Sequence, residues 1–82
     1  MKDFRAIWGE NIRQARLALS LTQVELCRRV GVTQQALSKW ERGVNAPTDE
    51  YRFLLARVLR QTIQGLFPPP VIELSNGEGE AA

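Results

Sequence analysis

At 82 residues the chain suffices for one small domain with one modest core, so its stability is expected to be marginal and helped by a partner subunit. Hydrophobic residues make up 44% and charged residues 24%, the balance of a soluble globular protein; no apolar run approaches the roughly 18 residues of a membrane span and no charged-then-apolar leader is seen, so a cytoplasmic protein without a membrane partner is expected. Net charge is only +2, yet Glu73, Glu78 and Glu80 lie beyond Pro70 with no Lys or Arg among them, which leaves +5 on residues 1–70.

Phe4, Ile7, Trp8, Ile12, Ala15 and Leu19 recur at helical spacing, predicting a first helix over residues 3 to 19 with Trp8 in the core. Thr22 followed by Glu25 forms the capping box T-x-x-E, in which a hydroxyl takes one free backbone N–H and the carboxylate returns to the N–H of the cap. A second helix therefore starts at Gln23, with Leu21 and Leu26 placed as a hydrophobic staple, and ends near Val30 because Gly31 tolerates the left-handed backbone of a helix end. After a turn of about three residues, Thr33 caps a third helix, with Val32 and Leu37 as its staple pair and Gly43 closing it. Two helices joined so tightly must cross steeply. Leu26, Val30, Val32, Leu37 and Trp40 fall on the inward positions, and Cys27 is the small residue expected at the close approach.

Val44-Asn45-Ala46-Pro47 reads as a loop, and Thr48 as the cap of a fourth helix whose Asp49 and Glu50 suit its positive end. Tyr51, Leu54, Leu55, Val58 and Leu59 then face inward. Thr62 caps a last turn in which Ile63, Leu66 and Phe67 cover the bottom of the core, making five helices. Pro68-Pro69-Pro70 ends the globular unit, which gives a domain over 1–67 and a Pro-rich linker with an acidic tail over 68–82. Within that tail Val71-Ile72-Glu73-Leu74 is β-prone but has no sheet to join, so it either stays mobile or pairs with another chain; Ser75 to Ala82 reads as disordered. The lone cysteine and the absence of histidine leave an internal disulfide, zinc ligation and Cys-His catalysis unsupported. No metal, no cofactor and no catalytic residue is expected.

Gln34, Gln35, Ser38, Lys39 and Arg42 are spaced by three and four, which lines them up on one outward, wholly polar face of the third helix. Taken alone, that face is an ordinary solvated one. The surrounding pattern L-T-Q-x-x-L, the Gly at the turn, T-Q-Q at the start of the third helix and W-E-x-G at its end resembles the helix-turn-helix of the lambda-repressor-like (Cro and phage repressor, XRE-type) family. The likeness runs from about Phe4 to Phe67, and departs at Cys27, where the family usually has Ala, and at Arg60-Gln61, where it usually has Gly-Val or similar.

The resemblance implies an all-α, compact five-helix domain that binds double-stranded DNA, with an extended C-terminal tail. Glutamine can pair with the N6 and N7 edge of adenine and lysine with guanine O6 and N7, so Gln34, Gln35 and Lys39, with Ser38 as a further candidate, are expected at bases. Gln23, Thr33, Arg42 and Asn45 are expected at phosphates, Thr33 with a thymine methyl as its other option. By the same resemblance Arg16 and Glu41 form a structural ion pair that ties helices together. The expectation is a transcriptional regulator and not an enzyme, most simply a repressor acting as a homodimer on a near-palindromic operator. An antitoxin or a phage excision factor on the same domain is the first alternative. A protein-interaction module with an unidentified protein partner is the second.

Overall fold

The computed structural model describes residues 3–70. The Val71 to Leu74 segment and residues 75–82, on which the tail expectations fall, lie outside the described residues. The chain is all-helical across the described residues: α1 Phe4–Ala18, α2 Gln23–Val30, α3 Gln34–Glu41, α4 Asp49–Leu59 and α5 Ile63–Leu66.

Local chemistry starts most of these helices. Asp3 caps α1 by accepting from Arg5 N. The Thr22/Glu25 capping box closes in both directions, at 3.0 Å and 2.8 Å, and the Thr22 N–H bond holds the Glu25 carboxyl below its ordinary range. Thr33 caps α3 through Ala36 N, and Thr62 caps α5 through Gly65 N. Thr48 is in the cap position of α4 but makes no side-chain cap bond; Asp49 and Glu50 occupy the first turn, where the helix dipole favours carboxylates.

Four helices bury one another's apolar stripes. Ile12, Leu26, Leu37, Leu55 and Leu59 are the largest fully buried side chains, supplied by α1 to α4, and each contributes roughly 1.5–3 kcal/mol of burial. Leu66 and Phe67 close the base, where Phe67 meets Trp8 edge-on at 5.3 Å. Trp8 is buried as expected; its Nε1 donates to the Pro68 carbonyl at 2.7 Å, while Asn11 Nδ2 donates to the Leu66 carbonyl. Arg52 lies over the Trp8 ring at 4.9 Å and is held by Pro47 O and Asp49. Cys27 is buried with Val30 and Trp40, and Val32 packs against the core from its edge.

One inward assignment, Ile63, is corrected, and two residues of the periodic row that predicts α1 are also outside the core. Phe4 and Ile7 in α1 and Ile63 in α5 are exposed. Ile7 falls on the helical row of Asn11 and Gln14, which points past the core, whereas Phe4 covers only the edge of Trp8 at 4.9 Å from the end of the helix. Ile63 is the first residue of a four-residue helix whose packing is carried by Leu66 at its other end.

The position of α3 against α1 depends on two glycines. A Cβ on Gly9 would lie 2.3 Å from Trp40 O and 2.7 Å from Glu41 O, so the end of α3 crosses α1 at backbone contact. Gly43, at φ +76, turns the chain out of α3, and a Cβ there would meet Ala6 Cα at 2.8 Å.

Candidate nucleic-acid interface

The outward face of α3 and the start of α2 form one concave surface of about 430 Å³, lined by Gln23, Gln34, Gln35, Ser38, Lys39 and Arg42. All six lining residues are sequence candidates. The turn that joins the two helices explains their meeting: Gly31 ends α2 at φ +88, Val32 N–H returns to Cys27 O at 3.1 Å, and Thr33 starts α3 at once. Thr33 stands outside the lining, its hydroxyl accepting from Ala36 N, and Asn45 is exposed on the α3–α4 loop, also outside it.

Gln34, Gln35 and Lys39 are exposed, and Ser38 is half-buried with its hydroxyl accepting from Arg42 Nε at 3.2 Å. Neither Lys39 nor Arg42 has a carboxylate partner among the described residues, so both charges are available to an anion. Polar edges of both hydrogen-bonding senses thus stand beside two free cations, an arrangement suited to a ligand that offers base edges flanked by phosphates.

Behind this surface is the Arg16–Glu41 pair. Arg16 Nε and Nη2 donate to the two oxygens of Glu41 at 2.7 and 3.0 Å, and Nη1 donates to Leu21 O at 2.8 Å. The two side chains are 10% and 4% exposed, so the pair is a buried brace between α1, α3 and the α1–α2 turn. Hydrogen bonding to Glu41 raises the Arg16 guanidinium above its usual value against the opposing effect of burial. Burial, then the Glu41 charge, push the Cys27 thiol up, with Arg16 working the other way.

Sequence spacing gives no sign of the link between brace and surface. Gln23 Nε2 donates to Glu41 Oε1 at 2.9 Å, and Gln34 Nε2 donates to Gln23 Oε1 at 3.4 Å. These partners are 18 and 11 residues apart, beyond any local pattern. Among the described residues no three metal-ligating side chains gather, and no helix is long and apolar enough to cross a membrane.

The chain is similar to several known proteins. A family model described as helix-turn-helix matches residues 12–66. An uncharacterized transcriptional regulator in the ATPase CF(0) region of Rhodospirillum rubrum is 39% identical over 59 residues, covering 72% of this chain and 55% of that protein. The HTH-type transcriptional regulator DicA of Escherichia coli is 38% identical over 52 residues, covering 63% of this chain and 38% of DicA. This chain therefore spans little more than half of the first relative and less than half of the second. Among solved structures, the P22 c2 repressor protein, crystallised in complex with a synthetic operator, superposes with a TM-score of 0.73 at 34% identity, over 76% of this chain and 94% of that one. With its two short helices, three-residue turn and polar outward face matched across residues 12–66, the chain belongs to the helix-turn-helix family.

Proposed function

We propose that the chain is a sequence-specific DNA-binding transcriptional regulator, a repressor that binds a near-palindromic operator as a homodimer and inserts the start of α3 into the major groove. One observation carries this reading: Gln34, Gln35 and Lys39 share a concave, solvent-facing surface with the unpaired Arg42. Gln34, Gln35, Ser38 and Lys39 read base edges. Arg42, Thr33 and Asn45 hold phosphates, and Gln23 does so from the first turn of α2, where N–H groups and the helix dipole favour an anion. The DNA-binding unit covers residues 1–67, and residues 68–82 form a linker and tail. The charge of +5 on residues 1–70 agrees with phosphate binding in the cytoplasm.

Competition binding with matched and mismatched duplexes tests the reading. Gln35→Ala is expected to lose roughly 1–3 kcal/mol on the preferred site and to relax selection at one base position. Arg42→Ala is expected to weaken all sequences about equally and to reduce the salt slope by about one. Duplex affinity that ignores salt would instead favour a surface that meets protein, since phosphate binding falls steeply as salt rises.

A further inference from the structure

The ends of α1, α2 and α4 meet around a second groove, of about 430 Å³, lined by Leu19, Leu21, Arg29, Val58 and Arg60. No residue of α3 lines it, so it is separate from the surface proposed to meet DNA. Its floor is apolar: Leu21 is buried, and Leu19 and Val58 are half-buried against the core. Its rim is cationic, because Arg29 and Arg60 are exposed and neither has a carboxylate within salt-bridge distance among the described residues. The two non-glycine residues with positive φ among the described residues also fall here, Ser20 at 57 between Leu19 and Leu21, and Arg60 at 60. Glycine would relieve the strain at Arg60, yet the position carries a charge.

We infer that this groove receives the Val71 to Leu74 segment of a second copy of the chain, each copy laying its tail across the other. The inference rests on the homodimer reading and gives the tail its docking place. In extended form Ile72 and Leu74 share one face and suit the apolar floor. Glu73, followed by Glu78 and Glu80 in a stretch without Lys or Arg, suits the arginine rim. The route of the outgoing chain favours the groove of a partner over its own. Leu66 O accepts from Asn11 and Pro68 O from Trp8, so the chain leaves toward the start of α1, whereas the groove lies at the end of that helix. Leu19 is eleven residues, about 16 Å, beyond Trp8 along α1. Four extended residues carry Ile72 at most about 14 Å from Pro68, and Pro69 and Pro70 stiffen the very place where the chain would have to reverse. A second copy is under no such constraint, and a twofold axis makes the exchange reciprocal.

Sedimentation equilibrium of the full chain and its variants, with a thermal melt of each, tests the docking. Ile72→Ser together with Leu74→Ser is expected to weaken self-association about tenfold or more. Arg60→Gly relieves strain, so it is expected to melt higher while self-association weakens about threefold or more, a pair of opposite signs that loss of folding cannot produce. Glu73→Arg should weaken self-association similarly, and Glu73→Arg combined with Arg60→Glu should recover most of the loss. A chain carrying both Leu19→Cys and Leu74→Cys is expected, once oxidised, to run as a covalent dimer, with each single substitution staying unlinked. An internally closed monomer would place the tail in the groove of its own chain and overturn the exchange. Self-association that falls on truncation after Pro70 but is unchanged in Arg60→Gly and Glu73→Arg overturns the docking and leaves the homodimer reading standing. A full chain that stays monomeric both free and on an intact operator overturns both.

Discussion

Arg16 and Glu41 make the sharpest prediction at the scale of single residues. Both charges are out of water, and Glu41 accepts three hydrogen bonds, two from Arg16 and one from Gln23. Removing one partner leaves the other charge buried without compensation, so Arg16→Met or Glu41→Leu is each expected to cost about 3–5 kcal/mol in urea denaturation. The double variant should cost far less than the sum, because no uncompensated charge remains. Single variants that denature like wild type would show that the brace holds nothing. Its neighbour Cys27 is buried, with a thiol pushed up, and so behaves as the small apolar residue expected from the sequence.

At the scale of elements, α1 to α4 end in a common way. An N–H two or three residues beyond the helix returns to a carbonyl five residues back, from Leu21 to Arg16, Val32 to Cys27, Val44 to Lys39 and Gln61 to Ala56. The residue before each of these donors has positive φ: Ser20, Gly31, Gly43 and Arg60. Arg60, at φ 60, lies in the left-handed region, where an L side chain is strained. Arg60→Gly is expected to raise stability by a few tenths to about 1 kcal/mol in the same denaturation assay, the relief being partly offset by the freer unfolded chain. Gly9 works in the opposite sense. Because the atoms a Cβ would strike are the Trp40 and Glu41 carbonyl oxygens, only separation of α1 from α3 can admit one. Gly9→Ala is expected to cost about 1–3 kcal/mol or more, with a drop in duplex affinity larger than the unfolded fraction accounts for, since α3 itself is displaced.

For the molecule as a whole, charge and size bear on how it recognises a site. One helix-turn-helix reads only a few base pairs, whereas two copies related by a twofold axis read half-sites about one turn, roughly 34 Å, apart. The apolar Val71-Ile72-Glu73-Leu74 segment beyond the prolines is our proposed contribution to that pairing. Sedimentation and operator titration of the full chain against a truncation after Pro70 measure it. The full chain is expected to self-associate more strongly and to bind an intact operator with greater cooperativity. Equal behaviour would leave any dimer contact to the helical domain.

The sequence by itself determined the helices and their polar face, because the forces involved act over three or four residues. Thr22 with Glu25, Thr33 and Thr62 mark helix starts, Gly31 and Gly43 mark ends, and Gln34, Gln35, Ser38, Lys39 and Arg42 share a row by periodicity alone. The structural ion pair was legible only through the family resemblance. Tertiary structure decided what depends on how the helices cross. It left Phe4, Ile7 and Ile63 outside the core, brought the carbonyls of α3 onto Gly9, and tied Trp8 to Pro68 across 60 residues. It also joined Glu41 to Gln23 and Gln23 to Gln34. Periodicity fixes which way a side chain points from its own helix axis, but the partner it meets depends on the angle and distance between two axes, and those are set by the packing of the whole core.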